Sequence, residues 1–138
     1  MKREAEAEMH IVLDTNILVS AAWSPGRNAS AILEAVFSRK HTACYDARIL
    51  AEYDRVLHYP KLKFTEWEIN AILEPLVKYG LSVIPEPLLS VPFERDETDR
   101  KFYEVAKFCR AVLITGNLAH FPSEPDIMSP ADFCRKYL

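Results

Sequence analysis

Two short runs with no polar side chain, Ile11-Val12-Leu13 and Ala111-Val112-Leu113-Ile114, stop abruptly at polar residues. The first stops at Asp14-Thr15-Asn16 and the second at Thr115-Gly116-Asn117. Unbroken apolar runs of this length read as strands buried on both faces, the condition of a parallel sheet covered by helices. In such an open sheet the ligand crevice lies beyond the carboxyl ends of the strands. Asp14 therefore stands where this kind of fold keeps its working groups, and the second polar cluster holds an equivalent place at the far end of the sequence. Just upstream of that second run lies another acidic segment, Asp96-Glu97-Thr98-Asp99.

The chain between these runs alternates between helix and strand signals. Helices are predicted over Ile17–Trp23, Ser30–Arg39 and a segment capped by Asp46 with the stripe Ile49, Leu50, Tyr53, Val56 and Leu57. That last helix should end near Tyr59, because Pro60 disfavours helix at the residue before it. Thr65 and Glu68 form a capping box with Phe64 as a staple onto Ile69. The stripe that follows is Ile69, Ile72, Leu73, Leu76 and Val77, and Pro75 inside it predicts a kink or a break. Further helices are expected over Asp99–Cys109 and from Ser129-Pro130, where Ser caps, Pro takes the first turn and Asp132 completes the box. Thr42–Tyr45 and Leu81–Ile84 add strands. Such alternation defines an α/β protein with a parallel sheet and helices on its faces.

A chain of 138 residues fits one domain, with residues 1–9 as a solvated lead-in. A net charge of −3 excludes a nucleic-acid binder that works through overall positive charge. It leaves room for a local basic rim, for which Arg27, Arg39, Lys40, Lys61, Lys63, Arg95, Arg100 and Lys101 are candidates. The three cysteines, Cys44, Cys109 and Cys134, lack the spacing of a zinc site or a disulfide framework and read as small buried thiols. No secretory signal or membrane-spanning run is evident, so a reducing cytoplasm is the expected home.

The acids carry the chemistry. Asp14 follows the first strand, Glu52 sits at the edge of an apolar helical stripe, and Asp99 opens a helix with Asp96 beside it. Carboxylates that converge stay ionised cheaply only around a cation, and oxygen-only ligands suit Mg²⁺ or Mn²⁺. Such an ion activates water and offsets charge on a phosphate, so phosphodiester hydrolysis is the reaction this set suits best. Taken singly, each acid also has an ordinary use. Asp14 is a good N-cap, Glu52 a solvated helix charge, and Asp96 and Asp99 are turn and first-turn residues.

In their order and spacing, Ile11-Val12-Leu13-Asp14-Thr15-Asn16-Ile17-Leu18, Glu52, Asp96-x-x-Asp99 and Leu113-Ile114-Thr115-Gly116-Asn117 resemble the PIN-domain family, and within it the VapC-like toxins of toxin–antitoxin systems. The resemblance runs from about His10 to the C-terminus. It implies a three-layer α/β/α fold with a central parallel sheet. It also implies a Mg²⁺- or Mn²⁺-dependent endoribonuclease, with RNA as substrate, a cognate antitoxin protein as partner, and a homodimer. Asp14, Glu52 and Asp99 match the family's catalytic and metal-holding acids. Asn16, Asp96, Thr115 and Asn117 match supporting positions. This chain departs from the pattern at Asn117, since relatives often carry an acid there or where His120 stands. Asn117 still offers a carbonyl oxygen but no charge. His120 reads as a surface histidine, with a proton shuttle as the alternative. The missing acid keeps a second reading open, a PIN-like module that binds RNA or protein without cutting. A phosphatase with Asp14 as covalent nucleophile fits less well, since Asn16 stands where a second acid is wanted.

Overall fold

The computed structural model describes residues 8–93 and 95–138, so most of the expected lead-in lies outside the described residues. Its strands are β1 (His10–Leu13), β2 (Thr42–Tyr45), β3 (Leu81–Ser82), β4 (Val112–Ile114) and β5 (Ile127–Met128). Its helices are α1 (Thr15–Trp23), α2 (Asn28–Phe37), α3 (Ala47–Leu57), α4 (Glu66–Tyr79), α5 (Arg100–Cys109) and α6 (Pro130–Tyr137). All strand pairs are parallel, in the order β3-β2-β1-β4-β5. This is the three-layer α/β/α arrangement predicted from the sequence.

β1 is the central strand and is hidden on both faces, with Ile11, Val12 and Leu13 fully buried. From β1 the chain moves outward through β2 and β3, then returns to the other side of β1 for β4 and β5. The direction therefore reverses between β1 and β4, which makes a topological switch point and opens a crevice at their carboxyl ends. α5 packs across β1, β2 and β4, with Phe102 and Val105 fully buried. α2 packs on α1, α4 and α6.

Several local expectations need correction. α1 begins at Thr15 rather than Ile17, because Asp14 itself caps the helix. α2 begins and ends two residues early; Ser38 is its C-cap, and Arg39 turns into the left-handed region at φ 65°. Pro75 does not break α4, which runs through it to Tyr79. Ile72 and Leu76 are buried on either side of the proline, so packing keeps both sides of it helical. β3 is two residues long instead of four. β2 ends at Tyr45 where Asp46 turns to cap α3, so nothing remains for Ile84 to pair with, and it is 91% exposed. β5 went unforeseen, since two residues carry no period. Cys44 is buried, whereas Cys109 and Cys134 are only half-buried.

Gly80 is required by close approach. A Cβ there would lie 2.5 Å from the Leu76 carbonyl oxygen and 2.7 Å from that of Ala43. The segment between β3 and α5 is irregular but tied down. The buried Glu104 accepts the Leu88 N–H at 2.7 Å and Arg48 at 2.8 Å, while Arg100 donates to the Leu88 carbonyl.

Candidate functional site

Asp14 is the first residue past β1, and its N–H still donates to the Ile114 carbonyl at 3.0 Å, so the β1–β4 ladder carries it to the crevice floor. Its side chain is 6% exposed and fully engaged. Oδ1 accepts the Thr15 N–H at 2.8 Å. Oδ2 accepts the Thr115 hydroxyl at 2.7 Å and Asn16 Nδ2 at 3.4 Å. The capping role and the pocket role thus fall on one carboxylate rather than competing for it.

Glu52 reaches the same place from the middle of α3. Its Oε2 accepts the Thr15 hydroxyl, and its Oε1 meets Lys101 Nζ at 2.7 Å and Arg55 at 3.9 Å. Tyr53, the next residue, is fully buried and donates its hydroxyl to the Leu13 carbonyl at 2.6 Å, which fixes α3 against the end of β1. Asp99 ends a 3₁₀ turn, Glu97–Asp99, and stands at the N-cap position of α5 without capping it, so its carboxylate is free for other partners. One of these is His120 Nδ1, at 3.1 Å.

The electrostatics show that these acids feel one another. Burial pushes Asp14 from its ordinary 3.8 up to about 6; the charges of Asp99 and Glu52 add to the rise, and the Thr115 and Thr15 hydrogen bonds oppose it. Asp99 is raised as well, first by burial and then by Asp96, against the pull of His120 and Lys101. Lys101 compensates Glu52 directly and Asp99 through its charge. It sits in the first turn of α5, where the helix dipole disfavours a positive charge, and Glu52 and the Thr98 carbonyl hold it there.

Hydrogen bonds thus join Asp14, Asn16, Thr115 and, through Thr15, Glu52 from both ends of the sequence. Asp99, hydrogen-bonded to His120 instead, acts on Asp14 through its charge. Asp96 and Asn117 remain at the rim. Asp96 is exposed and accepts the Thr98 N–H and hydroxyl, which lower its pKa and close the 3₁₀ turn ahead of Asp99. Asn117 is exposed, and its N–H donates to the Thr115 hydroxyl oxygen at 2.9 Å. His120 lies nearer the acids than a plain surface histidine. Of the predicted rim cations, Arg100 and Lys101 do border the pocket, in a groove of about 580 Å³ that also touches Glu52, whereas Arg39 lies over the Tyr79 ring instead. Sequence reasoning missed Arg48 and Arg55, which line the same groove, and the bridging role of Thr15. The helical spacing of Arg48, Glu52 and Arg55 was the available signal.

Among the described residues no three His, Cys, Asp or Glu side chains stand close enough to form a ready-made metal cage. Mg²⁺ does not need one, since it keeps several waters and takes one or two carboxylates. The donor set fits such an ion: it is all oxygen, and burial has left Asp14 short of compensating charge.

The parallel sheet with helices on both faces defines an α/β domain, and comparison with known proteins places it among nuclease-like folds. The PIN domain matches residues 10–119. The chain belongs to the PIN-domain family, whose members are generally nucleases. It is 32% identical over 118 residues to an uncharacterized protein of Methanocaldococcus jannaschii, a match that covers 85% of this chain and 76% of the relative. No solved structure matches the chain significantly. No helix among the described residues is long and apolar enough to cross a membrane.

Proposed function

We propose that this protein is a metal-dependent endoribonuclease and the toxin component of a toxin–antitoxin system, in which Asp14, Glu52 and Asp99 form the acidic site. The observation that carries the reading is Asp14 itself, a buried acid raised to about 6 with two further carboxylates acting on it. Perturbed acids of this kind cluster at functional sites, where a cation or a proton is handled, and this supports the reading.

In this reading Asp14, Glu52 and Asp99 would hold a Mg²⁺ or Mn²⁺ ion, directly or through water. When bound, the ion lowers the pKa of water and offsets charge building on the phosphate. The Thr115 hydroxyl and Asn16 fix the Asp14 carboxylate, so its oxygens are oriented before any ligand arrives. Lys101 and Arg55, both against Glu52, are placed to meet a phosphate from the groove side. His120, hydrogen-bonded to Asp99, is positioned to accept or return a proton at the pocket edge.

The toxin role, a cognate antitoxin and a cytoplasmic site of action follow from the resemblance to VapC-like proteins. An apolar groove of about 660 Å³ between α3 and α4, where Leu50, Leu73 and Val77 meet, supports a homodimer or an antitoxin contact. The second reading, an RNA- or protein-binding module without cleavage, is favoured by Asn117 at the expected acid position and by the Lys101 clasp on Glu52. RNA cleavage with Mg²⁺, Mn²⁺ or EDTA, run beside Asp14→Ala, separates the two. Metal-dependent cutting that disappears in the variant supports the nuclease; a wild type that binds RNA but never cuts it moves the assignment to the binding module.

A further inference from the structure

The acid pocket has two flanks of opposite character. On one side of Glu52 lies a charged groove bordered by Arg48, Arg55, Arg100 and Lys101, and Glu52 and Glu97 line it too. Arg48 is already paired with Asp46 and Glu104, which leaves Arg55 and Lys101, both against Glu52, as the cations at the acid site. On the other side a groove of about 420 Å³ runs between α1 and α3, lined by Thr15, Asn16, Val19, Ser20, Trp23, Ser24 and Val56, with no charged group. Thr15 and Asn16 belong to both the pocket and this second groove, since they hydrogen-bond to Glu52 and Asp14. Asn16, Val19, Ser20 and Trp23 recur at three- and four-residue spacing, so the groove follows one face of α1 away from the acids. At 1.5 Å of rise per residue, Trp23 lies about 10 Å along the axis from Asn16.

Trp23 is 60% exposed, yet it is not a loose surface ring. It packs edge-on against Phe64, with centroids 6.0 Å apart and planes at 66°. That contact props the indole at the end of the groove while most of its surface stays in water. Trp67 is more exposed still but borders neither flank of the pocket.

We propose that this α1–α3 groove is a nucleobase subsite, in which Trp23 stacks a base of single-stranded nucleic acid whose phosphate lies at the acid site. The inference rests on the nuclease reading and adds to it the strand's orientation: bases toward α1, phosphates toward Arg55 and Lys101. A nucleotide has an anionic backbone and an uncharged aromatic base, and the two flanks divide in the same way. The volume is within the range of small-ligand clefts, roughly 300–1,000 Å³. Stacking on an aromatic ring is tolerant of sequence because every base offers a π-face. The Ser20 and Ser24 hydroxyls give the wall some capacity to read a base edge. A protein partner is the poorer occupant, because the larger α3–α4 groove offers it a broader face and this one opens into the acid pocket.

The test uses a Trp67→Phe background, so that Trp23 is the one remaining tryptophan. A short single-stranded oligoribonucleotide carrying an end label is titrated in EDTA, beside the same strand with abasic positions. Anisotropy of the label reads affinity in every variant, and Trp23 emission reads stacking. The expected results are quenched Trp23 fluorescence with the intact strand, weaker binding without quenching for the abasic strand, and a loss of about 5- to 100-fold in affinity for Trp23→Ala, largely restored in Trp23→Phe. Thermal melting by circular dichroism checks that the variants fold. Equal binding of both strands with no quenching would overturn the subsite and leave the nuclease reading standing. An altered elution volume for Trp23→Ala with unchanged oligonucleotide affinity would also overturn it, by assigning the ring to a protein interface. A wild type that neither binds nor cuts any RNA would sink both readings together.

Discussion

Replacing Asp14 by Asn should make the protein more stable at neutral pH while removing its chemistry. Burial lifts the Asp14 carboxyl from 3.8 to about 6. A group whose folded pKa is raised contributes stability that is fully present below its unfolded value and is lost as pH rises through its folded value. Here the window runs from about 3.8 to about 6, and its full depth is about 3 kcal/mol, at 1.36 kcal/mol per pKa unit. Asn keeps the shape, the Thr15 N–H bond and the neutrality. It loses the acceptor for the Thr115 hydroxyl, which costs about 1 kcal/mol. The variant should therefore exceed the wild type by about 2 kcal/mol at pH 8 and fall to parity or below it at pH 4. Urea denaturation across that range, followed by circular dichroism, reads the difference directly. Two curves that stay parallel from pH 4 to 8, or an Asn variant that is weaker at pH 8, would refute the claim that Asp14 is a strained acid. Adding Mn²⁺ at pH 8 should close the gap, because an ion that binds only the folded wild type stabilises it by mass action, about 2.7 kcal/mol at a hundred times its dissociation constant.

Lys101→Met frees the Glu52 Oε1 oxygen and should tighten Mn²⁺ binding by on the order of tenfold, read by electron paramagnetic resonance of the free ion; weaker binding would show that Lys101 does not compete with a metal. Asp96→Ala should cost about 1 kcal/mol through the lost cap of the 3₁₀ turn and leave most cleavage intact, whereas Asp99→Asn should abolish cleavage, as measured on one RNA substrate. Gly80→Ala drives a Cβ into two backbone carbonyls and should lower stability by about 1–3 kcal/mol in thermal melts, with no effect on metal affinity. Tyr53→Phe leaves the buried Leu13 carbonyl without its partner and should cost about 1–3 kcal/mol by urea denaturation.

The parts of the fold written in long or strongly capped patterns were legible. The apolar runs of β1 and β4 and the Thr65–Glu68 capping box, with both of its hydrogen bonds present, match the structure. What escaped depended on partners distant in sequence. β5 is a strand only because β4 lies beside it, with Leu113 opposite Ile127. Ile84 lost its strand because β2 had already ended. In the site, Asp14 and Thr115 announced themselves by standing at strand ends. The position of Lys101 against Glu52 is set by how α5 crosses α3, and no local spacing encodes that crossing. The break that Pro75 suggested is absent for a related reason: the missing N–H is a local defect, but the buried residues on both sides outweigh it.

The hydrogen bond from Thr115 to Asp14 joins residues 101 positions apart, and between them lies nearly the whole domain. β1 precedes β2 in the chain and pairs with it on one edge, but its other edge stays open until β4 has been synthesised. A chain still emerging from the ribosome therefore carries Asp14 and Glu52 without the strand that orients them. Long-range parallel pairing is also the slow part of folding. If the protein cuts RNA, it becomes able to do so only after β4 and Thr115 have been synthesised and docked beside β1. A polypeptide truncated before β4 would present an unpaired central strand, which makes it prone to aggregate rather than a smaller enzyme.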